Sequence, residues 1–170
     1  AVKTLTERNP NPYDGEPLYN LGLSLKYQGK TEEAYDFFYK ACWNAAWQDA
    51  GYYSLAQLSA ARGDWEEALY EIDKSLLRNW HNLRGRHLKA AILRHLGRKD
   101  EALALIEDSL RIDRFNFGCG FEKYLITGVE ADLKELLALM RPEAHNYEEL
   151  ALDYASAGCW EEALAVADKA

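Results

Sequence analysis

One short segment recurs along the chain at a constant step of 34 residues. Gly29, Gly63 and Gly97 each open a copy that ends in an acidic pair and an alanine, and Gly158 opens a looser copy. Self-similarity with a period of about 20–50 residues indicates a stack of like units. Each unit of such a stack buries its apolar face only against its neighbours. The chain is therefore expected to fold as a repeat array.

Residues of matched size keep the same step around each glycine. Two small positions and one bulky apolar position are repeated, namely Gly22, Ala56 and Ala90; Ala34, Ala68 and Ala102; and Phe38, Ile72 and Ile106. Small residues let two helices approach closely, and the bulky side chain fills the space beside them. This pattern resembles the tetratricopeptide repeat, a helical hairpin. The resemblance implies an all-α fold, a right-handed α-α superhelix of about five antiparallel hairpins.

The resemblance covers most of the chain but includes one irregular region. Gly128 follows Gly97 by 31 residues, and Leu133 stands where the pattern has alanine. We therefore expect the solenoid to bend or change pitch there. The expected organisation is the tail of a preceding repeat at 1–14, three regular units at 15–48, 49–82 and 83–114, a degenerate shorter hairpin at 115–142, and a final unit at 143–170 truncated in its second helix.

The recurring glycines and acidic pairs have a structural interpretation. A glycine that follows a helix commonly adopts the left-handed conformation that ends it. Acidic residues at the start of the next helix favour the positive end of its dipole. Asp64 and Glu67 also have the spacing of a capping box. These carboxylates are therefore interpreted as helix-start residues and not as catalytic groups.

Net charge and hydropathy exclude two classes of partner. The formal net charge is −8, and an acidic chain repels phosphate backbones, so we expect no nucleic-acid binding. RNA recognition by helical repeats would need base-reading positions in every unit, whereas only the third unit is basic. No apolar run approaches the roughly 20 residues that cross a bilayer, so we expect no membrane association.

The N-terminus bears on localisation. The chain begins Ala1-Val2-Lys3 without an initiator methionine, and we interpret it as a portion of a longer protein. We expect a cytoplasmic location. A periplasmic one stays open, because a targeting segment would lie outside these residues.

Residue patterns typical of catalysis are missing from the sequence. Cys42, Cys119 and Cys159 are far apart and form no paired motif, which favours small core residues over zinc ligands. The histidines have no metal-binding spacing, and neither a nucleophile elbow nor a phosphate-binding loop occurs. We therefore predict no enzyme activity, no cofactor and no metal site.

The resemblance also implies a binding surface. In proteins of this family the first helix of each hairpin lines the concave face. The implied partner-binding groove consists of Tyr19, Asn20, Leu23, Lys26, Tyr27, Tyr53, Gln57, Arg84, His87, Arg94 and His95. Its first half is aromatic and amide-bearing, and its third unit is basic. An acidic segment is therefore the partner that this groove favours, because arginine binds carboxylates in bidentate fashion.

Two functional hypotheses follow. The first is a protein–protein interaction scaffold that holds a peptide or partner protein in the concave groove. The alternative is a non-catalytic auxiliary region of a larger bacterial enzyme, possibly a carbohydrate-active one. Repeat ends without a neighbour would also expose apolar faces, so self-association through them is a further expectation.

Overall fold

A computed structural model describes residues 14–170, so the predicted repeat tail at 1–14 lies almost entirely outside the described residues. Ten α-helices follow one another there: α1 (Gly15–Tyr27), α2 (Thr31–Ala41), α3 (Gln48–Ala61), α4 (Trp65–Arg78), α5 (Leu83–His95), α6 (Lys99–Ile112), α7 (Phe117–Thr127), α8 (Glu130–Met140), α9 (Ala144–Ser156) and α10 (Trp160–Ala167). A short 3₁₀ turn, Ala45–Trp47, precedes α3. The described residues contain no strand, and the predicted all-α fold is confirmed.

Consecutive helices pair as hairpins, α1 with α2 through to α9 with α10. The tight turn between the helices of each pair is made by a glycine with a positive φ, at Gly29, Gly63, Gly97, Gly128 and Gly158. A side chain at these positions would be strained, whereas glycine adopts the left-handed conformation freely. The predicted glycine caps are therefore confirmed.

The predicted capping box at α4 is wrong. Asp64 occupies the N-cap position, but its side chain accepts no hydrogen bond from the first turn of the helix. Asp64 Oδ2 instead lies 3.7 Å from Arg62 Nε, across the glycine turn. The carboxylate is thus drawn back towards the preceding helix and away from the free amides of α4.

The repeated small and bulky positions form the hairpin cores as predicted. Ala34, Ala68 and Ala102 are fully buried, as are Phe38, Ile72 and Ile106. At Gly22 an added Cβ would lie 2.8 Å from the Phe38 ring, which explains why α1 needs glycine there. Burying one such large side chain stabilises the fold by about 1.5–3 kcal/mol.

Buried apolar residues form two clusters of unequal size. The smaller one joins α1 and α2 to α3 through Leu25, Phe38 and Leu55. The larger one runs without a break from α3 to α10 and includes Cys119 and Cys159. All three cysteines are buried, in agreement with their interpretation as core residues. The second to fifth hairpins therefore share one core.

The fifth hairpin departs from simple stacking on its neighbour. Helix α9 packs against α3, which belongs to the second hairpin. At the turn before α10, a Cβ added to Gly158 would lie 2.6 Å from the Cα of Ala61 at the end of α3. The chain thus turns back after α8 and brings its last hairpin onto the first helices of earlier units.

Candidate partner-binding groove

The residues predicted to form the groove lie on the first helices of three successive hairpins. Five are on α1 (Tyr19, Asn20, Leu23, Lys26, Tyr27), two on α3 (Tyr53, Gln57) and four on α5 (Arg84, His87, Arg94, His95). The surroundings of these three groups differ, and the difference decides which part of the groove is open.

The α1 part combines core contacts with exposed side chains. The Tyr19 ring lies 5.4 Å from the Phe38 ring and 5.0 Å from the Trp47 ring, measured between centroids. Tyr19 and Leu23 are half-buried, whereas Asn20 is exposed and Tyr27 is 86 % exposed. This end of the groove therefore offers an aromatic and amide surface to solvent.

A hydrogen-bonded chain links α1 to α3. Lys26 Nζ donates to Gln57 Oε1 at 2.7 Å, and Gln57 Nε2 donates to the Tyr53 hydroxyl at 3.2 Å. Burial lowers the pKa of Lys26 to about 8. Lys26 therefore holds the two helices together in preference to presenting a solvated charge.

The basic residues of α5 are paired with carboxylates from later hairpins. Arg84 Nη2 lies 3.2 Å from Asp153 on α9. Arg94 Nε lies 2.7 Å from Glu122 on α7, and its Nη2 lies 2.6 Å from Glu162 on α10. The third unit is basic, as the sequence indicates, but the chain itself supplies the acidic partners of these arginines.

His87 lies at the centre of this contact. Its ring meets the Tyr154 ring edge-on at 4.6 Å, and its residue surface is 5 % exposed. On another side, a Cβ added to Gly118 would lie 2.2 Å from the imidazole, so glycine is required for α7 to approach. Burial, with smaller effects of Arg94 and Arg84, lowers the pKa of His87 to about 4, and the ring is neutral at pH 7.

Tyr154 on α9 also attaches the last hairpin to α7. Its hydroxyl donates to Glu122 Oε1 at 2.8 Å, and burial raises the pKa of Tyr154. The same carboxylate binds Arg94, so one buried network joins α5, α7 and α9. The last hairpin of the same chain thus fills the part of the predicted groove that α3 and α5 line.

His95 ends α5 beside the start of α10. Its ring stacks on Trp65 with centroids 4.0 Å apart and planes 2° from parallel. His95 Nε2 lies 3.2 Å from Glu162 Oε1 and 3.9 Å from Cys159 Sγ. Hydrogen bonding from His95, followed by Arg94, lowers the pKa of Glu162 to about 2.

Several of these contacts have no local signal in the sequence. The sequence does not predict that Glu122, Asp153, Tyr154 and Glu162 contact the groove, because each meets it from a hairpin distant along the chain. Glu162 is recognisable only as one of the acidic residues at the start of a second helix. Arg94 and Glu162, for example, are separated by 68 positions. Only the acidic character of the last two helices hints at a basic counterpart.

The outer side of the last hairpin is apolar and exposed. Leu152, Trp160 and Leu164 are each about two-thirds exposed, at 64 %, 64 % and 65 %. They line a cleft of about 450 Å³. Leu69, which stands at the position of Leu164 in the second hairpin, is only 7 % exposed because the next hairpin covers it.

A family model described as tetratricopeptide repeat matches residues 15–42 and 83–116. These two ranges of the chain are tetratricopeptide repeats. The matched ranges contain α1 with α2 and α5 with α6, so they include both ends of the groove.

Several solved structures share this fold. YrrB, described as a repeat protein with an unusual peptide-binding site, has 21 % identity and a TM-score of 0.66, over 99 % of this chain and 90 % of its own. A tetratricopeptide repeat protein from Parabacteroides merdae has 21 % identity and a TM-score of 0.70, over 99 % and 69 %. MamA has 17 % identity and a TM-score of 0.59, over 99 % and 82 %. At these identities the likeness shows the fold alone.

The family match and the solved structures thus agree with the helical repeat architecture described above. None of the helices between residues 14 and 170 has the length and hydropathy that crossing a membrane requires.

Proposed function

We propose that this chain is a non-catalytic scaffold whose concave groove binds an acidic helical segment of a protein partner. One observation carries the proposal: the basic helix α5 already holds an acidic hairpin. Arg84 and Arg94 bind Asp153 and Glu162, and His87 packs on the apolar ring of Tyr154. A partner helix with the same spacing of acidic and aromatic residues would find the same contacts.

The internal hairpin competes with such a partner and lowers its apparent affinity. A segment that binds α5 must replace α9 and α10, so the apparent dissociation constant rises in inverse proportion to the fraction of molecules with an open groove. The exposed α1 surface around Asn20 and Tyr27 stays available while the hairpin is docked. It would give a partner its first contact.

The experiment uses the hairpin as its own probe. A labelled synthetic peptide with the sequence of residues 144–167 is titrated with the full chain and followed by fluorescence anisotropy. Gly158→Ala should loosen the internal hairpin, because its Cβ would meet the backbone of α3. A loosening of about 1.4 kcal/mol would strengthen peptide binding about tenfold. Gly29→Ala is the matched control, since it has the same left-handed backbone with open space around it.

A second peptide tests the role of charge. Replacing Asp153 by lysine in the peptide should weaken its binding to the Gly158→Ala chain, because the side chain that meets Arg84 becomes repulsive while the internal hairpin is unchanged. Replacing the exposed Glu148 by lysine changes the charge of the peptide equally and should have no effect. Equal peptide affinity in the Gly158→Ala and Gly29→Ala chains, or equal affinity of the Asp153→Lys peptide and the original peptide, contradicts the proposed binding mode.

The exposed end of the array favours a second interaction. We propose that the apolar cleft of Leu152, Trp160 and Leu164 mediates self-association, because three large apolar side chains are exposed together. Sedimentation velocity of the wild type and of Leu164→Glu tests this. A dimer that Leu164→Glu dissociates supports the proposal, and a monomeric wild type at about 100 μM, where contacts of this small size should be measurable, refutes it.

A further inference from the structure

Three potential metal ligands converge where α5 meets the last hairpin. His95 ends α5, Cys159 directly precedes α10, and Glu162 lies in the first turn of α10. One donor atom from each lies within 4.8 Å of the other two. No single helix supplies this set, so its assembly depends on the docked hairpin.

We propose that His95, Cys159 and Glu162 bind a divalent ion of the zinc class, with water as the fourth ligand, and that this ion fastens the last hairpin to α5. Imidazole, thiolate and carboxylate together are a ligand set that suits zinc. The proposal does not depend on partner binding in the groove.

The distances fit tetrahedral coordination. Zinc lies about 2.0–2.3 Å from nitrogen, oxygen and sulfur ligands, so tetrahedral donors are separated by roughly 3.3–3.6 Å. His95 Nε2 and Glu162 Oε1 are 3.2 Å apart, and Cys159 Sγ and His95 Nε2 are 3.9 Å apart. Cys159 Sγ lies within 4.8 Å of a Glu162 carboxylate oxygen, so side-chain shifts of up to about 1 Å would complete the geometry.

The surroundings orient one ligand and leave an entry path. Stacking on Trp65 fixes the plane of the His95 ring, as outer-shell contacts do in metal sites. Cys159 is 4 % exposed, whereas the His95 side chain is 26 % exposed. The ion would enter, and its water would remain, on the solvent side of His95.

The local charge favours a dication in spite of Arg94. Arg94 binds Glu162, but two further hydrogen bonds attach it to Glu122, so it keeps a carboxylate partner when Glu162 turns to the ion. The carboxylates of Glu122 and Glu162 with the Arg94 cation give a net charge of about −1, and a Cys159 thiolate makes it about −2. A divalent ion would neutralise that charge.

Metal binding must displace the thiol proton of Cys159. The sulfur lone pair binds the ion, and the proton of the buried thiol leaves to solvent.

The test uses Co²⁺ as a spectroscopic substitute for Zn²⁺ with the full, reduced chain. We expect a near-ultraviolet sulfur-to-cobalt charge-transfer band and intense visible ligand-field bands, both abolished when Zn²⁺ is added. Cys159→Ser should remove the charge-transfer band. Cys159→Ser and His95→Gln should each lower the affinity for Co²⁺ by about 100-fold or more. Loss of a residue that only contacts a ligand typically lowers metal affinity by about 10- to 100-fold, so loss of a ligand itself should cost at least as much.

Cys42→Ser is the matched control, because Cys42 is equally buried but belongs to the other core cluster. It should leave both the spectrum and the affinity unchanged. Circular dichroism without metal checks the fold of each variant. If Cys159→Ser unfolds, the test rests on His95→Gln, because His95 is partly exposed and its replacement should leave the core intact. Absence of the charge-transfer band in the wild type, its persistence in Cys159→Ser, or equal affinity in His95→Gln overturns the site.

Discussion

Mild acid should loosen the last hairpin through His87. The folded-state pKa of this histidine is about 4, against 6.5 for an ordinary histidine, because the docked hairpin buries its ring. Below about pH 6.5, His87 is therefore protonated in the unfolded or undocked chain but stays neutral in the docked chain. The free energy of unfolding falls as the pH falls from about 6.5 to about 4. The loss stops below about pH 4, where both states are protonated.

The size of the effect follows from the two pKa values. Between about pH 7.5 and pH 5 the difference in proton binding amounts to about 2 kcal/mol of unfolding free energy. The charged groups beside His87 are Arg84 and Arg94 on its own helix, together with Glu149 and Asp153 on α9, which line the same cavity. Both arginines oppose protonation of the ring, in the same direction as burial.

Urea unfolding of the wild type and of His87→Phe at these two pH values measures the effect. Phenylalanine keeps a flat ring against Tyr154 but cannot titrate, so the variant should lose about 2 kcal/mol less than the wild type on acidification. The exposed His81 provides the control His81→Gln, which should behave like the wild type. Equal acid sensitivity in the wild type and His87→Phe would refute the reasoning.

Three further predictions concern stability, each measured by urea unfolding. Gly158→Ala should destabilise the chain by about 1–2 kcal/mol more than Gly29→Ala, because both strain a left-handed residue but only the first meets the backbone of α3. Glu71→Gln should be more stable than the wild type at neutral pH, since burial raises the pKa of Glu71, and the gain should vanish below about pH 4. Arg94→Met should cost about 3 kcal/mol or more, because the Glu122 carboxylate would stay buried without its cation.

The regular part of the fold is predictable because its contacts are local in the repeat. Gly22 and Phe38 meet within one hairpin, so their spacing predicts their contact. The glycine turns follow from the backbone conformation that each turn requires. The capping box failed because Arg62, across the turn, competes for the Asp64 carboxylate, and residue spacing does not record such competition.

The groove was only partly predictable for a related reason. Periodicity places Arg84, His87 and Arg94 on the first helix of the third hairpin. It does not predict which residues of later hairpins contact them. The fold-back depends on the shape of the irregular hairpin α7–α8 and on long-range pairs such as His95 with Cys159, which share no local spacing. A surface that binds a partner protein and a surface that binds another part of the same chain have the same sequence pattern. Only the folded structure distinguishes them.

The fold-back also changes how the array should unfold. In an open repeat array each unit contacts only its neighbours, so the ends fray and the units melt almost independently. Here α9 packs on α3, and one apolar cluster runs from α3 to α10, so opening the last hairpin exposes the core of the second. Residues 48–167 should therefore unfold in a single cooperative step that is slow to nucleate because of its long-range contacts, while α1 and α2 can melt separately.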